Sequence, residues 1–196
     1  MTGAVTLRAG LPDGLRHQAA AIYWQAFGGK LGRVLGPEAV ALRFLDRVMR
    51  ADHCIAALDG AGQLLGLVGF KTAEGSFAGG GAGDLRAVYG RWGGAWRGAA
   101  LRALGQEVDD ARFLIDGICV APSAQGQGIG RALIEAVCAE GRLRGFGAVR
   151  LDVADSNLRA RALYERAGFV LDGTAAIGPL RLIFGFRAAH RMVRAV

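Results

Sequence analysis

The residues best suited to chemistry fall in the second half of the chain. An apolar, strand-like run over 114–120 leads through Pro122 into Gln125-Gly126-Gln127-Gly128-Ile129-Gly130-Arg131, after which helical spacing begins. Glycines at a helix N-terminus expose successive backbone N–H groups, and the positive end of the helix dipole draws phosphate oxygens toward them. The same glycines also fit a turn of biased composition, since short glycine motifs are weakly specific. Two nucleotide-binding patterns fail on spacing: a P-loop needs Gly-Lys followed by Ser or Thr, and the dinucleotide fingerprint needs glycine where Arg131 stands. A second group, Asn157, Ala160, Arg161 and Tyr164, is spaced i, i+3, i+4 and i+7 and so shares one helix face. Taken singly, Asn157 reads as a helix cap and Tyr164 as a core aromatic. Cys119 lies between apolar neighbours with no histidine placed to activate it, which argues against a thiol nucleophile.

These groups need a scaffold, and the pattern around them supplies one. Residues 5–8 alternate like a short strand, and Asp13 is placed to cap a helix through Phe27 that Gly28 and Gly29 end. Pro37 opens a second helix, with Val40, Phe44, Leu45 and Val48 on one face. Apolar runs over 54–58 and 63–71 flank Asp59-Gly60-Ala61-Gly62 and read as a β-hairpin. A glycine tract over 75–83 precedes helical spacing from Leu85 through Tyr89, Trp92 and Trp96 to Leu104, weakened by internal glycines. Strand and helix then alternate over 113–120, 129–144, 149–153, 157–166 and 169–171, and residues 177–196 supply at least one more strand. The pattern is α/β within a single domain spanning 1–196.

The chain has 196 residues, 32 of them glycine, and a formal net charge of +7. Collagen is excluded by the lack of a third-residue glycine period, and the glycine excess is otherwise a compositional bias. Residues 1–120 hold 13 basic and 11 acidic groups, whereas 121–196 hold 11 and 6, so the surplus lies in the C-terminal part. Arginines spread among acidic neighbours do not make a nucleic-acid surface, and a small phosphorylated ligand explains the asymmetry with fewer assumptions. Three cysteines without a C-x-x-C pair suggest neither a disulfide frame nor a metal site. The absence of an apolar run of membrane-spanning length points to a cytoplasmic protein.

The Gly loop and the Asn157–Phe169 segment together resemble the GNAT superfamily of acetyl-CoA-dependent N-acetyltransferases. Gln125-x-x-Gly128-x-Gly130 after Val120-x-Pro122 is similar to that family's Q/R-x-x-G-x-G/A motif. Asn157-x-x-Ala160-x-x-Leu163-Tyr164-x-x-x-Gly168-Phe169 is similar to its second signature, and the match covers about 112–170. The resemblance implies a twisted mixed sheet of six to seven strands flanked by helices, splayed between the strands at 113–120 and 149–153, with acetyl-CoA in the split. It implies that Ile118, Cys119 and Val120 pair with the pantetheine arm. Gln125, Gly126, Gln127, Gly128, Ile129, Gly130 and Arg131 would cradle the pyrophosphate. Asn157 and Ala160 would face the pantetheine and Tyr164 the sulfur, with Arg161 or Arg166 as candidates for the 3′-phosphate.

On that reading the acceptor is a small-molecule amine or an amino terminus, and an ammonium must lose a proton before it can attack. Asp152 is the first candidate base and Asp116 the second, although alternation alone does not assign the face of either. Tyr164 can protonate the departing sulfur. An acyl-CoA-binding module without catalysis is the alternative, and the oligomeric state stays open, a homodimer included. A helical insertion over about 73–110, between the third and fourth strands, departs from the family's usual tight hairpin and reads as a lid in which Tyr89, Trp92 and Trp96 either form an acceptor wall or pack.

Overall fold

The computed structural model describes residues 4–103 and 111–196. The expected first strand forms as β1 (Thr6–Ala9), and the hairpin as β2 (Cys54–Leu58) and β3 (Leu64–Thr72). Its turn closes because Asp59 Oδ1 accepts hydrogen bonds from the amides of Ala61 at 2.9 Å and Gln63 at 2.8 Å. Such side-chain bonds are what make Asp-Gly stretches turn.

Between β1 and β2 run α1 (Arg16–Leu35) and α2 (Glu38–Val48). The first departs from the sequence expectation at both ends. It starts after Leu15 without a side-chain cap, so Asp13 does not cap it, and it continues through Gly28 and Gly29 to Leu35. Each glycine costs about 1 kcal/mol in a helix. Burial of Ala19, Ala20, Ile22 and Tyr23 against the sheet, and of Val34 and Leu35 against α2, outweighs that penalty.

The segment after β3 contains a two-residue strand, β4 (Gly75–Ser76), and α3 (Ala82–Ala103). α3 is two helices joined at Gly90, whose φ of 74° and ψ of 177° no other residue type adopts readily. The expected end of this insertion, including Leu104, lies outside the described residues. The remaining elements are β5 (Phe113–Val120), α4 (Ile129–Leu143), β6 (Ala148–Ala154), α5 (Leu158–Arg166), β7 (Val170–Ala176), the short α6 (Arg181–Phe184) and β8 (Ala188–Ala195).

The strands form one mixed sheet in the order β1-β2-β3-β5-β6-β8-β7, with β4 paired to β3 off this path. β8 inserts between β6 and β7, so of the two strand–helix–strand units only the first, through α4, gives neighbouring strands. β5 and β6 are the parallel pair, joined at two positions, Phe113↔Val149 and Leu114↔Arg150. Beyond them the strands part, and the edge of β5 from Ile115 onward faces a split.

A bulge sets which way β5 points its side chains. Its register against β3 passes from Phe70↔Ile115 to Gly69↔Gly117, leaving Asp116 as an extra residue. Phe113 and Ile115 therefore pack under α4 with Leu133 and Val137. Cys119, which strict alternation would place with them, packs on the opposite face with Tyr23 and Leu67.

Candidate active site

Two cavities open along the split. The first, of about 440 Å³, is lined by the end of β5, the loop into α4, and α5. Ile118, Cys119, Val120, Gln125, Gly126, Gly128, Ile129, Gly130, Arg131, Asn157, Ala160 and Tyr164 all contribute. Of the residues expected to cradle the pyrophosphate, Gln127 does not line the cavity; its Nε2 donates to the Ser123 carbonyl at 3.3 Å. Gln25 and Ala26 of α1 close the opposite wall.

The glycines of the loop serve by conformation more than by thinness. Gly126 and Gly128 have φ of 81° and 80°, and a Cβ at either would meet nothing within 4 Å. Two left-handed residues in close succession curl the backbone, which is how N–H groups converge on one point. Gly128 then heads α4 without a side-chain cap, and Ala132 is the first residue to bond back, to the Gly128 carbonyl at 3.1 Å. The amides of Ile129, Gly130 and Arg131 precede that first helical bond and point out of the helix end. This donor set, with Arg131, Arg159 and Arg166 on the rim, fits a pyrophosphate.

Asn157 does cap α5, its Oδ1 accepting from the Ala160 amide at 3.2 Å. Arg161 does not line the cavity; it pairs with Glu165 at 2.8 Å. Arg159, which the spacing argument passed over, lines the cavity and donates to Gln125 Oε1 at 3.2 Å. Tyr164 leans on Phe169, ring centroids 6.1 Å apart, and burial pushes its hydroxyl up to about 12, with Cys119 adding to the effect. Burial likewise pushes the Cys119 thiol up to about 12. Cys119 is thus a thiol at neutral pH and a poor nucleophile.

The second cavity, of about 640 Å³, lies on the α1 side of the split and holds both carboxylates singled out above. On β6, Val149, Leu151 and Val153 enter the α4 cluster, so Arg150 and Asp152 face this cavity. Asp152 is ion-paired with Arg150 at 2.9 Å and stands opposite Arg191 of β8. Asp116 is more enclosed. Its Oδ2 accepts from the Ala78 amide, in the segment ahead of α3, at 3.0 Å. Burial raises its pKa above the ordinary carboxylate value, against the lowering effects of Ala78, Lys71 and His53.

Several residues of this cavity were not legible as functional. Tyr23, Phe27 and Lys30 share one face of α1 at i, i+4 and i+7, a spacing that also describes ordinary packing. Tyr23 is raised well above its usual value by burial first, then by Asp116 and Cys119. Phe184 and Phe186 complete the aromatic wall. Of the two readings of the α3 aromatics, the acceptor wall does not form: Trp92 is 89% exposed, Trp96 47%, and no residue of α3 lines either cavity. Tyr89 packs instead, donating to the Leu35 carbonyl at 2.6 Å. The first turn of α3 is held to α2 by an Arg47–Asp84 ion pair at 2.9 Å, which anchors the segment expected to act as a lid.

Comparison with known proteins bears on this geometry. The family model described as "Acetyltransferase (GNAT) family" matches residues 17–169. Mycothiol acetyltransferase of Beutenbergia cavernae is 45% identical over 73 residues, 37% of this chain and 25% of that protein. The [ribosomal protein bS18]-alanine N-acetyltransferase of Escherichia coli K12 is 45% identical over 67 residues, 34% of this chain and 45% of that protein. The matches thus span less than half the length of these relatives. Among solved structures, SsHAT aligns with a TM-score of 0.66 at 25% identity, covering 98% of both chains. A GCN5-related N-acetyltransferase from Kribbella flavida aligns at 0.62 and 16%, again over 98% of each.

Proposed function

Since the chain belongs to the GNAT family of acetyltransferases, we propose that it transfers the acetyl group of acetyl-CoA directly to a primary amine of a small molecule or an amino terminus. The observation that carries this reading is the open edge of β5, where residues 118–120 lie between the N–H cradle of α4 and the carboxylate of Asp116. An extended pantetheine can pair with such an edge as an added strand, hiding its amides. The thioester would then lie along β5 between Ile118, which lines the first cavity, and Asp116, which lines the second.

Asp116 is the preferred base in this scheme, ahead of Asp152. Asp152 already has Oδ2 engaged by the Arg150 guanidinium at 2.9 Å. Asp116 has an elevated pKa and Tyr23 beside it. The amine nitrogen bonds to the acetyl carbon as the carbon–sulfur bond breaks. Of the two protons an ammonium gives up, one leaves through Asp116 to solvent and the other balances the proton that Tyr164 delivers to sulfur. A tyrosine at about 12 is a weak acid for an ordinary thiolate. Burial that raises the Tyr164 hydroxyl also raises a thiol lodged beside it, the direction that proton delivery to sulfur needs. Three buried, unpaired cysteines support a cytoplasmic setting.

The test is thiol release from acetyl-CoA across a panel of amines, repeated with Tyr164→Phe. The expected outcome is release with at least one amine and a fall in kcat of about tenfold or more in the variant, with acetyl-CoA affinity held. Acetyl-CoA binding without release from any amine would identify a binding module instead.

A further inference from the structure

The charges of the second cavity do not suit a simple alkylamine. Five charged side chains line it: Asp116 and Asp152 against Lys30, Arg150 and Arg191. The Arg150–Asp152 pair is internally balanced at 2.9 Å. Asp116 is the group set to meet an incoming ammonium. That leaves Arg191, which stands across from Asp152 on β6, and Lys30, which among the described residues has no carboxylate within ion-pair distance. Asp172, which feels Arg191 at longer range, is itself paired with Arg112 at 2.7 Å. The side chains that lower the Asp116 pKa against its burial are Lys71 and His53, not Lys30.

Lys30 is also unusually placed. It is one of two lysines among 24 basic residues. Its ammonium lies 5.7 Å from the Phe27 ring centroid and 5.9 Å from that of Phe186, and its burial lowers its pKa. A lysine with no functional partner would extend into water and keep its full hydration. Here two aromatic faces hold the cation at the cavity, where an anion would find it partly desolvated and in place. Tyr23, beside Asp116, stands on the same helix face seven residues earlier, roughly 10 Å along the axis. Lys30 therefore stands about two helical turns along α1 from the Tyr23–Asp116 end of the cavity.

We propose that the acceptor is an amine that carries its own carboxylate, with Lys30 holding the carboxylate while the amino group faces Asp116. This deepens the acetyl-transfer reading and rests on it. Such a zwitterion matches Lys30 and the Asp116 carboxylate at once, whereas a plain alkylamine adds positive charge to a site already positive. The cavity volume leaves room for a side chain or for several bonds between the two groups.

The test is thiol release from acetyl-CoA with matched pairs: α-amino acids, β-alanine, 4-aminobutyrate and 6-aminohexanoate, each against the amine lacking the carboxylate. The acidic members should be preferred by about tenfold or more in kcat/KM, the effect of one charged contact. Lys30→Met should bring that ratio toward one through KM, while Lys30→Arg preserves it. Equal or better use of the plain amines, or a ratio unmoved by Lys30→Met, overturns the inference and leaves acetyl transfer standing. Release from no amine of either kind sinks the acetyl-transfer reading, and this inference with it.

Discussion

At the scale of single residues, Asp116 concentrates the chemistry and is also the side chain most disguised in the sequence. Its position as the extra residue of a bulge flips the inside–outside alternation of β5, so no count along the strand assigns its face. Its raised pKa has two consequences. Between the unfolded value, near 3.9, and the folded value, the native state holds the extra proton, so its contribution to stability falls as pH rises through that window. The same shift should give kcat/KM a rising limb above the ordinary carboxylate range. Asp116→Asn keeps an acceptor for Ala78 and removes the ionisation. We expect it to lose the limb and about a hundredfold or more in kcat/KM, with a melting temperature at pH 8 no lower than that of the parent. A surviving limb in the pH profile would move the base elsewhere. The first cavity was readable because its residues sit in two contiguous stretches, 118–131 and 157–164, whose local spacing carries the information. The second draws Tyr23 and Lys30 from α1, Asp116 from β5, Arg150 from β6 and Arg191 from β8, and no local spacing records that convergence.

At the scale of elements, what the spacing conveyed well was identity, and what it missed was extent and neighbourhood. β2, β3, β5 and α4 lie close to where apolar periodicity places them. α1 overruns Gly28 and Gly29 because its buried face outweighs local propensity, and β8 separates β6 from β7 because sheet order is a long-range property. The loop into α4 can be tested as an element. Gly128→Ala introduces no contact within 4 Å, so its effect is confined to the backbone, where a φ of 80° strains an L-residue by about 1–2 kcal/mol. Relaxing that strain turns the N–H groups at the head of α4. Calorimetry should therefore show acetyl-CoA affinity falling about tenfold or more, beyond what the loss of stability explains, and Gly128→Asn, which tolerates the left-handed region better, should recover part of it. Unchanged affinity would mean that the cradle is not where the phosphates bind.

At the scale of the whole molecule, the split raises the question of whether the two sides are one cooperative unit. β5 and β6 contribute two backbone pairings to their junction, too few to hold the sides together. The side chains do more. One buried cluster runs from Ile55 and Val68 of the first strands through α4 to Val149 and Met192 of the last. Another joins Val34 and Phe44 to Phe184 of α6. Apolar burial across the split on both faces of the sheet makes opening it as costly as unmaking the core, so we propose that the chain unfolds as one domain. Acetyl-CoA sharpens the test, because a ligand lying in the split engages both sides. At 100 times its dissociation constant it adds about 2.7 kcal/mol, which for a chain of this size is roughly 5–10 °C in Tm. A calorimetric scan should show a single transition that moves as a whole on adding acetyl-CoA. The shift should shrink as salt screens the arginines around the phosphate cradle. Two transitions, one responding to acetyl-CoA and one not, would mean that the clusters bridging the split do not couple its sides.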